Sequence, residues 1–189
     1  ELLVDWALGK AKREEAPRIL DLGTGSGCIA VTLALELPRS RVTAVDLSKA
    51  ALAVAADNAG RHGARVDFRH GDWFSAVTGE GFDLIVANPP YVAEGDGHLA
   101  EGDVRFEPRS ALAAGSDGLD DIRRIVGTAS GHLGPEGWLA VEHGWDQGEK
   151  CAEIFRQSHY RNVVQLTDLS GIMRITAGLV NKVTILRRQ

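Results

Sequence analysis

Hydrophobic residues along the chain fall into short apolar runs that alternate with stretches of helical spacing. Residues 17–22, 41–46, 66–69, 82–87 and 138–142 read as strands, the first of them buried. Helical stretches lie at 26–37, from Ser48 to about 59, at 119–132 and near 147–157. Further β-rich segments stand near 163–166 and after Met173. Strands that alternate with helices in this way predict an α/β domain, with a parallel sheet covered on both faces. Pro38 stops the first of these helices, and Ser48 is placed to cap the next.

Two regions break the alternation. Residues 1–16 place Leu2, Leu3, Trp6 and Leu8 on one apolar helix face, followed by the charged stretch 10–15. Nothing precedes Glu1 to cap that helix, so the chain is expected to be cut from something longer. From Asn88 to about Ser116 the chain is irregular and rich in Gly, Asp and Glu. A loop that long in a compact domain is usually functional. No repeat or linker marks a second domain.

Composition narrows the class. With 189 residues, a net charge of -5, 44% hydrophobic and 25% charged residues, the chain reads as one globular domain. No apolar run approaches the roughly 20 residues that span a bilayer, and no signal peptide is expected. Cys28 and Cys151 are too few for a disulfide framework or a zinc site, so a cytoplasmic setting is expected, with Cys28 a small buried hydrophobe. The six histidines show no metal-ligand spacing, and no metal is expected. The acidity argues against a partner held by phosphate neutralisation, although Arg105, Arg109, Arg123 and Arg124 can form a local basic patch.

Four motifs carry chemistry. Gly23-Thr24-Gly25-Ser26-Gly27 follows the first strand, where glycines let a ligand approach main-chain N–H groups near a helix N-terminus. The spacing is G-x-G-x-G and not the G-x-G-x-x-G of dinucleotide folds, which weakens a nicotinamide reading. Asp46 ends the second strand, where a carboxylate can accept both hydroxyls of a ribose. The plainer alternatives are a tight βα turn and an acid favoured by a helix dipole. Loop and acid together point to an adenosine-containing cofactor at the carboxyl ends of the strands. Asp72-Trp73 follows the third strand and can contact adenine, the carboxylate at its amino group and the indole on its ring; a turn Asp and a core Trp are the alternatives.

Asn88-Pro89-Pro90-Tyr91 closes the fourth strand. Proline stiffens the chain and extends the residue before it. The Asn88 side chain and the Pro89 carbonyl become two fixed acceptors for a planar NH2 group, and Tyr91 can pack on that group. Together with Asp21-Leu22, Gly71-Asp72-Trp73-Phe74, residues 103–109, 116–119 and 142–149, these motifs resemble the release factor glutamine N5-methyltransferases, within the class I S-adenosylmethionine-dependent methyltransferases.

The resemblance spans about residues 1–175. It implies a Rossmann-like, mostly parallel seven-stranded twisted sheet with helices on both faces and an antiparallel C-terminal strand. The last strand is then either 174–178 or 182–187. It further implies a catalytic domain over 1–189, without the helical N-terminal domain of that family. The implied cofactor is S-adenosyl-L-methionine, leaving as S-adenosyl-L-homocysteine, held by Gly23, Thr24, Gly25, Ser26, Gly27, Asp46, Asp72, Trp73 and Asn88. The implied substrate is a peptide chain release factor, methylated on the glutamine of its Gly-Gly-Gln motif at Asn88, Pro89, Pro90 and Tyr91. Residues 107–109 would help shape the substrate site, a structural role is expected for Glu142-His143, and the protein is expected to be a monomer. Competing readings are a ribosomal-protein glutamine methyltransferase, an N-methyltransferase of exocyclic amines in DNA or RNA, and a non-catalytic cofactor-binding scaffold.

Overall fold

The computed structural model describes residues 1–12, 14–92 and 115–181. Seven strands form one sheet: β1 (Arg18–Leu22), β2 (Arg41–Asp46), β3 (Val66–His70), β4 (Phe82–Ala87), β5 (Leu133–Glu142), β6 (Arg161–Thr167) and β7 (Met173–Leu179), in the order β3-β2-β1-β4-β5-β7-β6. The first five are parallel, and β7 runs antiparallel between β5 and β6. Of the two candidates for a last strand, 173–179 belongs to the sheet; 182–187 lies outside the described residues.

Alternation along the strands sorts side chains into two cores. Leu20, Leu22, Ile85, Leu139 and Val141 face α4 (Asp120–Ala129) and α5 (Gly148–Gln157). Ile19, Val42, Leu84, Val86 and Ala140 face α1 (Leu2–Ala11) and α2 (Cys28–Glu36). α3 (Lys49–His62) packs beside α2 and begins as expected at Ser48, whose Oγ accepts from Ala51 N–H at 3.2 Å. Burying both sheet faces is what parallel strands require.

Three expectations need correction, and one element was not expected. The buried face of α1 is Leu3, Val4, Ala7 and Ala11, at the i, i+4 spacing of a helix; Leu2, Trp6 and Leu8 are only partly buried at its margins. The helix expected at 119–132 ends at Ala129, and β5 begins at Leu133, because Leu133 pairs with Phe82 and joins the sheet core. Cys28 is exposed, since the first turn of α2 turns that position outward, whereas Cys151 is buried. A single-turn 3-10 helix over Trp73–Val77, not foreseen, follows β3.

Candidate active site

The parallel strands end in register. One position beyond the paired residues Val45, Leu22, Ala87 and Val141 stand Asp46, Gly23, Asn88 and Glu142 in a single row. Strand spacing puts Asp46 and Asn88 roughly 10 Å apart with the glycine loop between them. The row lies at the carboxyl ends of the strands, where α/β sheets bind their ligands.

Backbone geometry explains the alternating glycines. Gly23, Gly25 and Gly27 all have positive φ, at 68°, 55° and 81°. A Cβ at Gly27 would lie 2.9 Å from Ala55 Cβ, so the third glycine lets α2 and α3 approach. A Cβ at Gly25 would meet nothing within 4 Å, so its main chain is approachable. Asn58 ties the loop to α3 by donating to Ser26 C=O at 2.9 Å.

Two carboxylates flank the loop. Asp46 accepts from Gly25 N–H at 2.8 Å and from Ser48 N–H at 2.7 Å, fixing loop and helix start to the end of β2. A carboxylate has about four acceptor positions, so two remain for ligand hydroxyls. Asp21 is fully buried below the loop, where its Oδ2 accepts from Thr24 Oγ–H at 2.6 Å. Its Oδ1 has no hydrogen-bond partner among the described residues. Burial pushes this carboxyl up to about 6 against the pull of the Thr24 bond.

Asp72 and Trp73 stand at the far side of the loop. Arg124 of α4 donates to both Asp72 oxygens, at 2.9 and 2.6 Å. Trp73 takes a left-handed φ of 47°, rare for an aromatic residue. Its ring lies over Gly23, 3.2 Å from where a Cβ would stand, and its indole hydrogen bonds to Asp121. Arg124 and Asp121 are site neighbours that the sequence reading missed, because they come from an element far along the chain.

Arg124 and Arg123 do not form a free basic patch. Arg123 pairs with Asp117 at 2.6 Å and with Asp120 at 3.1 Å, and Arg124 pairs with Asp72. Arg105, Arg109 and residues 107–109 lie outside the described residues.

Asn88 is exposed, and among the described residues no hydrogen bond engages its side-chain amide. Pro89 is buried, while Pro90 and Tyr91 are partly so. Pro89 and Pro90 carry no N–H, so neither competes for nearby acceptors. Glu142 stands beside Asn88 in the row, with its carboxyl raised by burial. Buried His143 is bonded on both ring nitrogens, to Gly144 O and Thr176 Oγ1, each at 3.0 Å, consistent with the structural role expected of it. Among the described residues no group of His, Cys, Asp and Glu is placed to hold a metal ion, and no helix is long and apolar enough to cross a membrane.

Residues 4–103 match the family model described as methyltransferase small domain. The chain is 54% identical to the release factor glutamine methyltransferase of Bordetella pertussis, over 94% of this chain and 66% of that protein. It is 49% identical to the protein of that name from Xylella fastidiosa, over 94% and 65%. The chain thus spans just under two thirds of the length of these relatives. Among solved structures, the release factor-specific protein-(glutamine-N5) methyltransferase of Alicyclobacillus acidocaldarius is 30% identical, with a TM-score of 0.59 over 95% of this chain and 90% of that one. A ribosomal protein L11 methylase from Lactobacillus delbrueckii shares the fold, with a TM-score of 0.70 at 18% identity over 95% of this chain and 78% of that one. The chain belongs to the methyltransferase small domain family and, within it, to the group whose members are named release factor glutamine methyltransferase.

Proposed function

We propose that this chain is a catalytic domain that transfers a methyl group from S-adenosyl-L-methionine to the side-chain amide nitrogen of the glutamine in a release factor's Gly-Gly-Gln motif. The observation that carries this reading is the row at the sheet edge. It sets Asn88, whose amide is unengaged among the described residues, one strand from the glycine loop and two from Asp46. Relatives at 54% and 49% identity are named release factor glutamine methyltransferase, which supports the reading.

The residues present fit the cofactor. Within the loop 23–27 the main chain stands open at Gly25, Asp46 keeps acceptor capacity for ribose hydroxyls, and Trp73 lies over Gly23 beside Asp72, where an adenine would border the loop. The cofactor's chemistry is an electrophilic methyl on a sulfonium, so that with an amide the products are S-adenosyl-L-homocysteine, the N-methyl amide and a proton. The protein's part is to position the nucleophile. An amide nitrogen is a poor nucleophile, because its lone pair is delocalised into the carbonyl. The Asn88 side-chain oxygen and the Pro89 carbonyl accept the two amide hydrogens and leave the nitrogen's face toward the methyl. Tyr91 packs against the planar group. Positioning of this kind lowers barriers by about 7–11 kcal/mol, and acceptors that draw electron density onto nitrogen add to it.

Asn88→Ala is expected to cut methyl transfer to a release factor at least about 100-fold, the usual cost of losing an orienting group, while cofactor affinity by calorimetry stays within a few-fold. A release factor with the Gly-Gly-Gln glutamine replaced is the negative control. Near-normal turnover by the variant, or labelling of the control, would refute the assignment.

A further inference from the structure

Gln147, the residue before α5, is only 6% exposed, and its carboxamide makes three hydrogen bonds to the main chain. Nε2 donates to Tyr91 C=O at 2.9 Å and to Asp117 C=O at 3.1 Å, and Oε1 accepts from Gly144 N–H at 2.8 Å. One planar group thus joins three main-chain segments that are distant in sequence. Its surroundings are tight. A Cβ at Gly118, which has a φ of 70°, would run into the Tyr91 carbonyl and lie 2.7 Å from Gln147 Nε2.

The turn that Gln147 faces is itself anchored. Next to the Gly144 carbonyl, which can only accept, His143 must carry its proton on Nδ1 and accept from the Thr176 hydroxyl through Nε2. Thr176 belongs to β7, so the anchor reaches into the sheet.

We propose that Gln147 is a positioning residue for methyl transfer. By holding the Tyr91 carbonyl to the β5–α5 turn, it fixes the frame in which Asn88 and Pro89 present their acceptors. This rests on the reading of Asn88, Pro89, Pro90 and Tyr91 as the amide-binding segment. The chemistry selects this side chain: two donors and one acceptor are needed in one plane. Glutamate would lose both donors and set a carboxylate oxygen against two carbonyl oxygens, and leucine would leave all three main-chain groups without their partner. Small displacements at a reacting centre cost up to about 100-fold in rate.

The test compares wild type with Gln147→Glu and Gln147→Leu, using a release factor that carries Gly-Gly-Gln as substrate. Both variants are expected to lose about 10- to 100-fold in kcat, with KM for the release factor and Kd for S-adenosyl-L-methionine each within about threefold. Hydrogen exchange at the amides of Asn88, Tyr91 and Val92 should quicken in parallel. A kcat within about threefold of wild type in either folded variant overturns the proposal. So does a loss carried by cofactor affinity, which would mark a general structural role. Should wild type fail to methylate the release factor, the functional reading falls separately. The exchange measurement then decides for Gln147, and unchanged rates at those three amides refute it.

Discussion

Gly27 and Gly25 share a left-handed backbone but not an environment, so they separate conformational strain from crowding. An alanine at Gly25 meets open space and should cost about 1–2 kcal/mol of stability, the price of a Cβ in that region of φ. At Gly27 the same change adds a 2.9 Å contact with Ala55 and should cost about 1–3 kcal/mol more. Urea titration of both variants measures the difference, and equal losses would mean that α3 yields freely. Asp21 makes a pH prediction. Its carboxyl sits near 6 in the fold against 3.8 for an ordinary aspartate, so between those values the folded state binds more protons than the unfolded one. Stability from this group is therefore fully present below about pH 4 and lost as pH rises through about 6. Asp21→Asn should flatten the fall in Tm between pH 4 and 7; an unchanged pH profile would show that the carboxyl is not raised. At this scale the glycine spacing was legible because positive φ at alternate positions admits few residues besides glycine. Exposure of Cys28 was not legible, since it depends on which way the first turn of α2 faces.

The helix α4 shows how an element carries both stability and site geometry. Ile122, Ile125, Val126 and Ala129 are completely buried against the sheet, while Arg124 on another face reaches Asp72. Ile125→Ala should cost about 2–5 kcal/mol, as core truncations of this size do. Arg124→Ala should cost under about 1 kcal/mol, because both partners of the pair are about half exposed. Thermal denaturation of the two variants checks the contrast, and a costly Arg124 change would make the pair a structural member. The existence of the helices and parallel strands could be read from apolar runs and caps such as Ser48. Their ends could not always be read. Whether 130–132 continues the helix or leads into β5 is decided by pairing with Phe82, a long-range fact. The 3-10 turn that aims Trp73 at Gly23 depends on a left-handed tryptophan, which no local propensity favours.

For the whole molecule, net charge of -5 together with the pairing of Arg123 and Arg124 predicts weak affinity for nucleic acid. Anisotropy titration with duplex DNA at physiological salt should give a Kd no tighter than the roughly 10⁻⁴–10⁻⁶ M of non-specific binding, and nanomolar binding would reopen the exocyclic-amine reading. The α/β class was legible, because parallel strands must bury both faces, and so was the gathering of the loops after those strands at one sheet edge, where the proposed site stands. The place of β7 was not. Although it is the last strand in the described sequence, it inserts between β5 and β6, pairing Glu142 with Ile175 and Trp138 with Leu179. Until it arrives, β5 has an open edge and β6 has no sheet to join. Emergence from a ribosome would then leave the sheet unfinished until residues 173–179 are free to move, so the sheet closes only when β7 enters between β5 and β6. Because Thr176 on that strand holds His143 and the turn facing Gln147, the frame around Tyr91 and the closing of the sheet become the same late event.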